Sequence, residues 1–148
     1  MQEDDILKLS HQLCFPLYAA ARKIVAAYAP FLKEIHLTYT QYVTMMVLWE
    51  KREVSVKDLG ATLYLDSGTL TPLLKKLEKE GLVTRRRSHE DERVVLVQLS
   101  EKGEALREKA KKVPCQMAAL LTKKGAFLPE EEMEKLKGVL YEIIQRLH

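Results

Sequence analysis

The sequence predicts a mainly helical chain with a small β-hairpin wing, a winged helix-turn-helix flanked by long helices at both ends. Three observations predict it. Between Ser55 and Gly81, two short apolar helical patterns are joined by a tight turn. From Leu82 to Leu99, two β-prone arms flank a polar tip. The segments before and after are helical in pattern and longer than such a core needs. Residues 36–100 are therefore expected to form the winged lobe, and residues 1–35 and 101–148 to form helices that pair two copies.

From about Ile6 to Leu32 the spacing of Ile6, Leu9, Leu13, Leu17, Ile24 and Val25 predicts one helix. Pro16 removes a backbone donor inside it and predicts a kink between Gln12 and Phe15, and Pro30 predicts a second break or a new turn. Thr38-x-x-Gln41 is a capping box that starts a helix from Tyr39 to about Lys51. Its expected buried face is Tyr42, Val43, Met45, Met46, Leu48 and Trp49. Val54-Ser55-Val56 fits a very short strand. Ser55, with Asp58 three positions on, starts a helix through Leu63, in which Gly60 allows close approach. Tyr64-Leu65 turns, Asp66 or Ser67 caps the next helix, and Gly81 ends it. Ser100 caps a helix from Glu101 to about Lys112, Pro114 interrupts it, and Cys115 to Lys123 continues. Pro129 followed by three glutamates starts the last helix, with acids on the positive end of its dipole.

The formal net charge of +3 is mild, so a nucleic-acid partner rests on where charge is placed. Leu70, Leu73, Leu74 and Leu77 take the core face of the second short helix. Ser67, Thr69, Thr71, Pro72, Lys75 and Lys76 are left on its free face. Hydroxyls suit base edges and phosphates, and ammonium groups suit phosphates. In the wing, Asp91 lies two residues before Arg93 and can hold its guanidinium extended, a shape that fits a narrow minor groove. Arg85, Arg86 and Arg87 are expected at the flanking phosphates. The partner read from these residues is a double-stranded DNA operator. No apolar run approaches the length of a membrane span, and no signal-peptide pattern occurs, so a cytoplasmic protein with no membrane partner is expected. Two cysteines a hundred positions apart form neither a disulfide scaffold nor a zinc pattern. His11, Cys14, His36, His89 and His148 have no strong metal-ligand spacing, and no metal or cofactor is expected. A thiol peroxidase would need an alternating βα pattern that this chain lacks, so no enzyme activity is expected.

The run Asp66-Ser67-Gly68-Thr69-Leu70-Thr71-Pro72-Leu73-Leu74-Lys75-Lys76-Leu77-Glu78, with Asp91-Glu92-Arg93 at the wing, closely resembles the MarR family of bacterial regulators. Leu13-Cys14-Phe15 and Leu37-Thr38-Tyr39-Thr40-Gln41-Tyr42 are similar to its organic-hydroperoxide-sensing branch, the OhrR and SarZ-like repressors. The resemblance implies a homodimer on a pseudo-palindromic operator and repression as the default sign. It also implies that Cys14 is the reactive thiol and that Tyr28 and Tyr39 reach it across the dimer. Oxidised Cys14 then pairs with a low-molecular-weight thiol or, through Cys115, in an intersubunit disulfide. The alternative is a MarR-type repressor that answers to a phenolic or aromatic ligand in the dimer cleft, without cysteine chemistry. If the first helix starts near Asp4, Cys14 lies too deep for the helix dipole to act on it.

Overall fold

The computed structural model describes residues 5–147. Asp4 and His148, which the sequence reading invoked as a helix start and a conceivable metal ligand, lie outside them. The chain forms two compact units, one up to Val113 and one from Pro114 onward.

In the first unit a 3-10 turn, Leu9–His11, precedes α1, Cys14–Lys33. This corrects the expected continuous, kinked helix. Pro16 is the third residue of α1, where its missing N–H would have had no intrahelical acceptor, so it sits at a start instead of a kink. Pro30 causes no second break, since α1 runs past it to Lys33. Cys14 is consequently the first residue of the helix and not deep within it.

The Thr38 box opens α2, Tyr39–Lys51, with both reciprocal bonds made: Gln41 N–H donates to Thr38 Oγ1 at 3.3 Å, and Thr38 N–H to Gln41 Oε1 at 2.9 Å. Its buried face is Tyr42, Thr44, Met45, Val47, Leu48 and Trp49. Met46 faces solvent and Val43 is only half-buried, so the stripe is rotated from the expected one. Thr44 is buried at no polar cost because its hydroxyl donates to Thr40 O at 2.7 Å.

Strand β1, Glu53–Ser55, leads into α3, Val56–Leu63, where the Ser55 hydroxyl accepts from Asp58 N–H at 3.0 Å. Tyr64 turns the chain in the left-handed region. Asp66 then caps α4, Ser67–Lys79, accepting from Thr69 N–H at 2.8 Å. At Gly60 a β-carbon would meet Leu65 O in the turn at 2.8 Å and Leu70 Cδ2 of α4 at 3.5 Å, so the glycine lets the turn fold closely onto α3. Past α4, Gly81 takes φ +75°, Leu82 N–H donates to Leu77 O and Gly81 N–H to Glu78 O. This is the double bond pattern of a Schellman ending.

Strands β2, Val83–Arg87, and β3, Val95–Leu99, form the wing. The sheet has three antiparallel strands in the order β1-β3-β2, so the short strand, which starts one residue earlier than expected and leaves Val56 to α3, pairs with the hairpin. Val54, Val97 and Arg85 share one row, and Ser55, Leu96 and Arg86 the next. The first row faces the core, because Val54 and Val97 are both buried. Helix α5, Glu101–Ala110, is capped by Ser100. It ends two residues short of expectation, and Pro114 becomes the third residue of the next helix, α6, Lys112–Lys123, as Pro16 is of α1.

In the second unit, α7, Glu130–Arg146, follows Pro129. It has no buried residue. Met133 and Leu136 on its apolar face are open, while Ile143 and Ile144 are half-buried. In the first unit, α1 likewise buries only Leu32 and leaves Phe15, Leu17, Tyr18, Ile24 and Val25 exposed.

Candidate DNA interface and redox site

Helix α4 has its leucines inward: Leu70, Leu73, Leu74 and Leu77 are buried. Ser67, Thr69, Pro72, Lys75 and Lys76 are exposed and Thr71 half-exposed. The hydroxyl-and-lysine face therefore exists as a surface, with hydroxyls in the first turns and the ammonium groups towards the far end.

The wing arginines are sorted by strand alternation, so they do not form a single row of free cations. Arg85, on the core-facing row, is committed to Glu78 in the last turn of α4. Its Nη2 donates to Oε1 at 3.1 Å, its Nε to Oε2 at 3.4 Å, and its backbone N–H to Oε2 at 3.1 Å. Arg85, expected at a flanking phosphate, is here paired with Glu78, and its side chain ties the wing to α4. The bonds from Arg85 hold the Glu78 carboxyl below the usual carboxylate range. Arg86, on the opposite face, pairs with Glu53 at 3.1 Å, and Arg87 donates to Glu92 O at 2.7 Å.

At the tip, Asp91 accepts three bonds from Arg93: backbone N–H at 3.0 Å, Nε at 3.1 Å and Nη2 at 3.2 Å. The Arg93 side chain is nonetheless 91% exposed, a guanidinium held by its inner edge and presented outward. The side-chain bonds, then the backbone bond, keep Asp91 below its usual range and so ionised at neutral pH. Sequence reasoning found Asp91–Arg93 from a two-residue spacing. It missed Glu78, whose only signal was an acid and an arginine on either side of the Gly81 turn.

Cys14 is an exposed free thiol in the first turn of α1, as Cys115 is in α6. Backbone N–H groups in the first turn of a helix have no intrahelical acceptor and are donors for a negatively charged sulfur. Tyr28 and Tyr39 are brought together, ring centroids 5.1 Å apart, and Tyr42 completes a cluster at 6.1 Å from Tyr28 and 6.5 Å from Tyr39. Burial, then the neighbouring Tyr39, pushes the Tyr28 phenol above its usual range; burial does the same to Tyr42. Tyr28 and Tyr42 therefore keep their protons and remain hydrogen-bond donors. Within one chain Cys14 is not among them. Tyr28 lies fourteen residues further along α1, about 21 Å at the helical rise of 1.5 Å per residue. Among the described residues no group of histidines, cysteines and carboxylates could hold a metal ion, and no helix is long and apolar enough to cross a membrane.

Comparison with known proteins places this geometry. Residues 26–110 match the family described as transcriptional regulator SarA/Rot. The chain is 46% identical over 144 residues to the organic hydroperoxide resistance transcriptional regulator of Bacillus subtilis, covering 97% of this chain and 95% of the relative. It is 46% identical over 108 residues to the regulator SarZ of Staphylococcus saprophyticus, covering 73% of each. Among solved structures it is similar to AbfR of Staphylococcus epidermidis. With reduced AbfR bound to DNA it shares 30% identity over 97% of both chains at a TM-score of 0.77. With disulfide-formed AbfR it shares 30% identity over 95% of this chain and 96% of that one at 0.66.

Proposed function

We propose a function from one premise: the chain belongs to the MarR family of transcriptional regulators, in its organic-hydroperoxide-sensing OhrR/SarZ-like branch. It is a homodimeric, cytoplasmic, DNA-binding regulator, a repressor, that leaves a pseudo-palindromic operator when Cys14 is oxidised by an organic hydroperoxide. The observation that carries this reading is the position of Cys14. It is an exposed thiol in the first turn of a helix whose apolar side chains stand open to solvent. It is also too far from Tyr28 for any contact inside one chain. A thiol–phenol site with these residues needs a second copy, and the open faces of α1 and α7 are apolar surface for that copy to cover.

In the reduced dimer, α4 of each chain enters the major groove with Ser67, Thr69, Thr71 and Pro72 towards base edges and Lys75 and Lys76 towards phosphates. Arg93, held by Asp91, enters the minor groove, while Arg86 and Arg87 face the flanking backbone. Two-fold symmetry places the reading helices in successive major grooves, about 34 Å apart. On oxidation the Cys14 thiolate attacks the hydroperoxide. An S–O bond forms, the O–O bond breaks, the alkoxide takes a proton from solvent and leaves as the alcohol, and a sulfenic acid remains. A second thiol, either Cys115 of the partner or a low-molecular-weight thiol, then forms an S–S bond and releases water. Phenols that held the thiolate lose their acceptor, and the spacing of the two lobes changes. No catalytic turnover is involved.

The test uses duplex DNA selected by the reduced protein from random sequence. Wild type releases it after stoichiometric organic hydroperoxide. Cys14→Ser, whose hydroxyl can still accept from the phenols, still binds the operator and does not release it on oxidation. Release of that variant on oxidation refutes the cysteine reading and leaves a phenolic ligand as the inducer. Non-reducing electrophoresis of the same samples reads Cys115: a covalent dimer that disappears in Cys115→Ala identifies it as the resolving thiol.

A further inference from the structure

Trp49 is the only tryptophan of the chain and plays no part in the DNA face or at the thiol. It is buried on α2 with its ring edge-on to Tyr42 at 6.5 Å, and Tyr42 touches both Tyr28 and Tyr39. On its other side the indole Nε1–H donates to Gly103 O at 2.8 Å, across 54 positions of sequence. Gly103 stands in the first turn of α5, and that turn is built onto the end of α4. Ser100 N–H donates to Leu82 O at 3.1 Å, Ser100 Oγ to Gly81 O at 2.6 Å, and Lys102 Nζ to Glu80 O at 2.6 Å. These acceptors are the carbonyls at and just past the end of the DNA-reading helix. The joint is also tight, because a β-carbon on Gly103 would lie 2.2 Å from Leu82 O.

We infer that Trp49 is a positioning residue that couples the tyrosine cluster to the C-terminal end of α4 through Gly103 and the Ser100 cap. The inference rests on the redox reading above and deepens it by naming how a change at the phenols reaches the reading helix. The train is short and made of packed rings and satisfied bonds, so a shift of Tyr42 has no soft neighbour to absorb it. Allosteric coupling is a ratio of affinities, which a merely structural residue leaves unchanged while altering both affinities together.

The experiment measures operator affinity before and after stoichiometric organic hydroperoxide in wild type and in Trp49→Phe. Phenylalanine keeps an aromatic ring at this position and removes the N–H donor together with part of the indole volume. Gly103 O keeps its place in the helical ladder of α5, so it is not orphaned. The reduced variant is expected to bind within about threefold of wild type, and its reduced-to-oxidised affinity ratio to shrink by about fivefold or more. An unchanged ratio overturns the coupling. A second measurement needs no variant of the tryptophan: Trp49 emission in wild type should change with the time course of DNA release and stay constant in Cys14→Ser. Emission that does not move while DNA is released also overturns it. A wild type that keeps its operator after oxidation overturns the redox reading and this inference with it, which separates the two failures.

Discussion

Gly103→Ala tests the joint between the reading helix and α5 with the smallest possible change. Intrinsic propensity alone favours the substitution, because alanine in a helix is better than glycine by up to about 1 kcal/mol. The structure predicts the opposite sign. The added carbon would lie 2.2 Å from Leu82 O, 3.2 Å from Leu82 C and 2.8 Å from Leu99 Cδ1. Leu82 O cannot swing aside freely, since it accepts Ser100 N–H at 3.1 Å. Overpacking of this kind costs about 1–3 kcal/mol, and contact with backbone puts it at the upper end. Losing or stretching the Ser100 bond adds about 1 kcal/mol. After the propensity gain, a net loss of about 2–3 kcal/mol remains, equivalent to roughly 5–10 °C in Tm for a chain of this size. Gly138→Ala is the internal control. Nothing lies within 4 Å of its β-carbon position, on the side of α7 away from the apolar stripe. There the propensity term acts alone and Tm rises by about 2–4 °C. Both are read by thermal unfolding at one fixed protein concentration, because a dimer's Tm depends on concentration. A Gly103→Ala protein as stable as wild type would refute the reasoning.

Two further predictions concern the wing. Arg93→Ala should weaken operator binding about 5- to 100-fold and lower the slope of log affinity against log salt by about two per dimer; filter binding across a salt series checks both. An unchanged affinity removes Arg93 from the interface. Glu78→Gln should remove a pH-dependent part of stability. The folded-state value of Glu78 is lowered from 4.5, so the clasp with Arg85 stabilises the fold above that range and is lost as pH falls through the folded-state value. Urea unfolding should therefore separate the two proteins most at neutral pH and bring them together in acid. A constant difference across that range assigns the effect to packing instead of the charge pair.

The parts legible in the sequence are those in which a side chain bonds its own backbone three residues away. The Thr38 box, Asp66 on Thr69, Ser55 on Asp58 and Ser100 on Gly103 all obey such spacing, and the Gly81 ending is legible because glycine takes the positive φ a helix end requires. The leucine face of α4 follows from the same local periodicity. What escaped depends on distance or on ambiguity. Trp49 and Gly103 are 54 positions apart, and no local rule pairs them. Arg85, Arg86 and Arg87 read as one basic run, yet pleating sends neighbours to opposite faces and gives each its own acceptor. Pro16 was ambiguous in a different way. A proline within an apolar periodic run marks either a kink or a first turn, and only the course of the backbone before it distinguishes them. That distinction moved Cys14 from the interior of a helix to its start.

The magnitude of the switch constrains how many contacts the thiol must lose. Driving a two-state equilibrium from mostly bound to mostly released geometry, from 99:1 to 1:99, takes about 5.5 kcal/mol. A hydrogen bond to a charged acceptor contributes about 1.5–3 kcal/mol. In the proposed dimer each Cys14 thiolate faces two phenols, Tyr28 and Tyr39, so the two sites together hold four such bonds, roughly 6–12 kcal/mol. That is enough without any new attractive contact in the released state. With one phenol per thiol the total falls to roughly 3–6 kcal/mol, which reaches the requirement only at its upper end. In the proposed dimer the packing of Tyr28 on Tyr39, ring centroids 5.1 Å apart, would then serve the switch by bringing two phenols to one thiol. Burial that keeps the Tyr28 proton in place serves the same end, since a phenolate could not donate to a thiolate at all.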